Sequence, residues 1–84
     1  MAKIQLHEMV TLLEDVQTQR FPQGESILLR QGQVGTVVEV LGEGEAFEVE
    51  FADLEGQTYA MLAVVVDKLM VLRYQPIEPV PVSS

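Results

Sequence analysis

Residues 34–64, VGTVVEVLGEGEAFEVEFADLEGQTYAMLAV, constrain the fold of this chain more than any other stretch. Apolar and polar residues alternate through it with a period of two, and two clusters of Gly and acidic residues, at 42–45 and 53–56, interrupt the alternation. A period of two sends successive side chains to opposite faces of a strand, and such clusters supply turns. The stretch therefore predicts a three-stranded antiparallel meander. With residues 42–45 as the first turn, Val40 faces Phe47, Glu39 faces Glu48, Val38 faces Val49 and Val37 faces Glu50. With 53–56 as the second, Phe51 faces Thr58, Val49 faces Ala60 and Phe47 faces Leu62. In this register Thr36, Val38, Val40, Phe47, Val49, Phe51, Ala60 and Leu62 share the core face. Val37, Glu39, Leu41, Glu48, Glu50, Tyr59 and Met61 point outward.

The flanks extend the pattern. Residues 8–14, EMVTLLE, are expected to form a strand; a short helix is the competing reading, because Met9, Leu12 and Leu13 also fit a 3.6-residue period. Phe21-Pro22, Gly24 and Gly32 break the chain between 15 and 33, where the apolar run Ile27-Leu28-Leu29 marks a short strand at 26–29 inside a long ordered loop. A single helical turn is expected around Val66-Asp67-Lys68, before a last strand at 68–73 that points either Leu69 and Val71 or Met70 and Leu72 inward. The tail, residues 75–84, contains three prolines and reads as polyproline-like or disordered, with a formal PxxP match at 76–79. Strand, long loop, meander, one-turn helix and closing strand is the order of an all-β, five-stranded SH3-like barrel whose first strand pairs with its last, over residues 1–74.

Eighty-four residues make one domain, and a chain of this size buries roughly 60–65% of the surface its unfolded form exposes. A deep cleft between subdomains is not expected. The chain has no cysteine, which excludes disulfides and thiolate metal sites and fits a reducing cytoplasm. Its first ten residues lack the apolar run of a signal peptide, and no segment approaches the ~20 apolar residues of a membrane span. A soluble, cytoplasmic protein without membrane contact is expected. Thirteen acids against five bases give a net charge of −8, and between Arg30 and Lys68 there are eight acids and no Lys or Arg. The meander is an anionic platform.

These features weigh against most kinds of chemistry. The only His, His7, has no patterned Ser or acid partner, so nucleophilic catalysis lacks its base. Glutamates that alternate outward on a small barrel are not desolvated as general acid–base work requires. Gly42-Glu43-Gly44 is a hairpin turn whose acids repel phosphate. Glu39 and Glu48 face each other with Glu50 diagonal to them, but a flat strand pair cannot supply the six to eight oxygens of a tight calcium site. Nucleic-acid binding lacks its phosphate-neutralising cations, although GQVGTVVEV resembles a strand of KOW-type barrels. Neither enzyme activity nor any metal, cofactor or nucleic acid is expected.

The blocks LHEMVTLLED, GQVGTVVEV, AFEVEFAD, GQTYAML and DKLMVL together resemble the small bacterial family described as domain of unknown function 4926. The likeness covers about residues 4–74 and implies no chemistry. Residues 17–29 exceed the connection in the family's shorter members, and the Pro-rich tail lies outside the match. A looser likeness links 34–37, 49–51 and 67–72 to the SH3-like barrels of electron-transport accessory subunits, such as the small photosystem I subunit and the variable chain of ferredoxin–thioredoxin reductase. That likeness belongs to the fold as much as to any function.

Protein binding is then the expected role. Tyr59 and Met61 lie among Glu39, Glu48 and Glu50, and interfaces favour aromatic and Met centres while charge guides encounter. Phe21 in the long loop joins this set, and a basic protein partner is expected. A competing arrangement has the 15–33 loop fold over that side, with Phe21, Ile27 and Leu28 covering Tyr59 and Met61. The alternative role is that of an accessory subunit in a larger, electron-transport complex. Homo-oligomerisation stays open.

Overall fold

The computed structural model describes residues 4–22, 24–73 and 79–82. The described residues are all-β, with seven strands and one turn of 3-10 helix. In chain order they are β1 (Met9–Leu12), β2 (Val16–Gln19), β3 (Ser26–Leu29), β4 (Val34–Leu41), β5 (Ala46–Ala52), β6 (Thr58–Val65), the helical turn Val66–Lys68 and β7 (Leu69–Val71). The first segment is thus a strand rather than a helix, and the single helical turn lies where the sequence puts it. Five strands form one antiparallel sheet in the order β6-β5-β4-β1-β7.

The expected pairing of first and last strands is present, with Val10 opposite Val71 and Leu12 opposite Leu69. The barrel is nevertheless not closed. β6 and β7 end the sheet on opposite sides and do not pair. In place of a long loop, residues 15–33 hold a second sheet, the β2–β3 hairpin. Its alternation was hidden in a polar segment: Val16 pairs with Leu29 and Thr18 with Ile27, so one face carries the apolar side chains. Val16, Ile27 and Leu29 pack on the core, and the hairpin thereby covers the inner face of the large sheet rather than its outer one. Asp15 fixes its base, accepting the Gln31 N–H at 2.7 Å and facing Arg30 at 3.7 Å.

Phe47, Val49 and Phe51 of β5 are buried as the alternation requires, together with Val10, Leu12, Val37, Ala60, Val64 and Leu69. Two bulges change the expected register. Val40 pairs with Phe47 and Glu39 with Glu48, but an extra residue at Val38 makes Val37 the partner of Val49 and Thr36 the partner of Glu50. Val37 is therefore a fully buried core residue rather than an outward one, Val38 is half-buried, and Val40 is 41% exposed. The second bulge lies at Tyr59: Ala52 pairs with Thr58 while Phe51 pairs with Ala60, Val49 with Leu62 and Phe47 with Val64. Each expected partner on β6 is displaced by two residues, which preserves the face and lengthens the turn to 53–57. Asp53 builds that turn, its Oδ1 accepting the N–H groups of Glu55 and Gln57, both at 2.9 Å.

The close approach of β5 core atoms to β4 depends on Gly35, opposite Val10. A Cβ there would lie 2.6 Å from Val49 Cγ1, 2.8 Å from Phe51 Cε1 and 2.9 Å from the Glu50 carbonyl oxygen. These are core atoms and backbone, so no flexible chain end can yield. Of the tail, Pro79 to Val82 is exposed and outside any helix or strand, and the expectation for 75–78 lies outside the described residues.

Two stability changes are expected. Gly35→Ala should cost about 1–3 kcal/mol through overpacking, read as a lower urea midpoint. Thr11 is 7% exposed and its hydroxyl has no hydrogen-bond partner among the described residues, so Thr11→Val should raise the midpoint by the equivalent of about 1 kcal/mol.

Candidate functional site

The outer face of the meander forms cross-strand rows. Leu41, Ala46 and Val65 make one; Glu39, Glu48 and Ala63 the next; Thr36, Glu50 and Met61 the third. Glu39 is exposed, while Glu48 and Glu50 are half-buried along their stems. The Thr58 hydroxyl donates to Glu50 Oε2, which holds that carboxylate toward the second turn. Glu39 and Glu48 are directly opposed like charges, an arrangement that costs roughly 0.2–1 kcal/mol.

Of the expected surface centre, only Met61 belongs to these rows, half-buried beside Glu50. Tyr59 occupies the bulge and packs against the core cluster. Its carbonyl accepts the Phe21 N–H at 2.7 Å, so the hairpin meets the sheet at this point. Phe21 is 42% exposed, and its backbone lies beside the start of β6. Leu28 is 54% exposed and is not among the hairpin residues that pack on the core. His7 is exposed, and its backbone N–H donates to the Val37 carbonyl at 2.8 Å.

Two features were missed from the sequence. Leu54 is fully exposed at the tip of the second turn, between Asp53 and Glu55. Ala63 and Val65 are exposed on the outer face of β6, where Ala63 leaves Glu48 open toward the sheet edge. An apolar residue within an acidic turn was a readable signal for the first; no pattern marks the second.

Charge is segregated more completely than the sequence requires. Among the described residues every Lys and Arg pairs with an acid outside the meander: Arg20 with Glu25 at 3.7 Å, Arg30 with Asp15 at 3.7 Å, Lys68 with Glu14 at 3.0 Å and Arg73 with Glu8 at 3.9 Å. The eight acids between Arg30 and Lys68 have no cation partner among the described residues. Among these residues, no three His, Asp or Glu side chains converge as a metal site would require. A separate shallow groove of about 300 Å³ lies along β7, lined by Ile4, Val66, Leu69, Met70, Val71 and Arg73.

The opposed glutamates make a direct prediction. Glu48→Lys converts a repulsive pair into an attractive one and should stabilise the fold by roughly 0.2–1 kcal/mol in urea denaturation, with the gain shrinking at high salt.

No curated protein and no solved structure matches the chain. The family model described as Domain of unknown function (DUF4926) matches residues 6–71, from just before β1 to the end of β7. The match therefore spans both sheets and the whole acidic meander, and the chain belongs to the DUF4926 family.

Proposed function

We propose that this protein is a non-enzymatic interaction module that binds a basic protein through the outer face of its meander. The sheet and its covering hairpin are read as an open, SH3-like arrangement. The observation that carries the proposal is the set of meander acids with no internal cation, beside four ion pairs that use the described bases elsewhere. A face that carries uncompensated like charge binds a cationic partner with relief of its own repulsion, and its field accelerates encounter. Met61 and Leu54 supply apolar contact area beside the acids.

A second reading rests on the groove along β7. Met70 is 51% exposed there and Val66 37%, which suits permanent apolar contact with a neighbouring subunit. In that role the protein acts as an accessory subunit and stabilises its neighbour.

The two readings separate by salt. Binding through the acidic face should slow several-fold on association when Glu48 and Glu50 are both changed to Lys, and its dependence on salt should flatten. Stopped-flow association with the purified partner measures both. An unchanged association rate in the double variant rejects the acidic-face reading. A complex that survives high salt and is lost with Met70→Glu supports the subunit reading.

A further inference from the structure

We infer that β6 takes up an extended basic segment of the partner as an added strand, with an Arg or Lys side chain directly beside Ala63. The inference rests on the acidic-face reading and specifies how the partner is held.

β6 is the terminal strand on one side of the five-stranded sheet. The Val66 N–H donates to the Glu45 carbonyl at 2.9 Å, and Val65 lies opposite Ala46. In an antiparallel ladder the direction of the backbone groups alternates, so those of Val64, Leu62 and Ala60 face β5. The N–H and C=O groups of Met61, Ala63 and Val65 therefore face away from the sheet. The Tyr59 carbonyl is occupied by the Phe21 N–H, and no backbone partner exists for the other three among the described residues. Edge strands are commonly blocked by Pro, Lys or an outward bulge. Thr58–Val65 contains neither Pro nor Lys, its bulge sits at Tyr59, and β2, which approaches β6, makes no ladder with it.

Charge complementarity identifies the occupant. A residue of the added strand opposite Ala63 joins the row Glu39–Glu48–Ala63 on the outer face. Glu48 is then two strand spacings away, about 10 Å between backbones. Exposed Ala63 presents only a methyl group between them. A long cationic side chain spans that distance across Ala63 and meets the Glu48 carboxylate, with Glu39 behind it. The mode is strand addition, in which main-chain bonds give affinity and alternate side chains give specificity. An acidic segment, or a second copy presenting the same edge, would bring like charge to this row.

The test uses a capped peptide of alternating Arg and Val, with alternating Glu and Val as its control, followed by amide NMR on the full chain. The Arg peptide should bind, shift the Met61, Ala63 and Val65 amides and slow their hydrogen exchange, while the Glu peptide should not. Ala63→Pro removes an outward donor without touching the β5 ladder and should weaken binding about tenfold. If that variant does not fold, an Arg peptide N-methylated at alternate residues tests the same bonds with the protein intact. Arg-peptide binding that Glu48→Gln weakens, but that Ala63→Pro and N-methylation leave unchanged, overturns strand addition while the acidic-face reading stands. Absence of binding overturns both. Protection of the same three amides without peptide, rising with protein concentration, overturns the basic occupant in favour of a second copy.

Discussion

The sheet depends on β4 serving two neighbours, β1 on one side and β5 on the other. Val34 to Thr36 pair with β1 and Thr36 to Leu41 with β5, so Thr36 serves both. Two local devices let β4 turn between them. The extra residue at Val38 bends the strand, and the missing side chain at Gly35 admits Val49 and Phe51 against the backbone. Without the bend, β1 and β7 would continue outward from the meander. With it, Val10, Leu12 and Leu69 join the same core as Phe47 and Phe51.

That shared core explains why the fold tolerates its acids. Burial of a single Phe or Leu side chain is worth roughly 1.5–3 kcal/mol. One pair of opposed glutamates costs at most about 1 kcal/mol. The inner face therefore outweighs the outer one, and the outer face is free to carry charge that does nothing for stability. The ion pairs around the hairpin and β7 are exposed and contribute little each, but their placement leaves the meander uniformly anionic.

Much of this architecture was legible as alternation. Phe47, Val49 and Phe51 are separated by glutamates, so the inner face of β5 admits one reading. Val37 and Val38 are both apolar, and the alternation cannot say which of two adjacent valines is the extra residue; the structure buries Val37. Tyr59 posed the same difficulty, since a bulge changes face and register together, and its side chain lies on the core rather than among the acids. Val16 and Thr18 form a strand that is convincing only once Ile27 and Leu29 are placed opposite. The hairpin's cover of the inner face follows from long-range packing, which no local pattern encodes. Glu39, Glu48 and Met61 were found from turn placement and lie on the outer face as expected, whereas the terminal place of β6 in the sheet follows from strand order alone.

The β1–β7 pairing has a consequence for how the chain folds. The meander and the hairpin join residues close in sequence, through short turns that close rapidly. Val10 and Val71, by contrast, meet from near opposite ends of the described domain. Such a contact closes a long loop, at a cost in entropy that grows with loop length, and raises the contact order. During synthesis the meander can assemble first, but Val10, Leu12 and the base of the hairpin lack one wall of their core until Leu69–Val71 leaves the ribosome. Until then the nascent chain presents an apolar sheet face beside an acidic one, and the charge on the acidic side opposes its association with copies of itself.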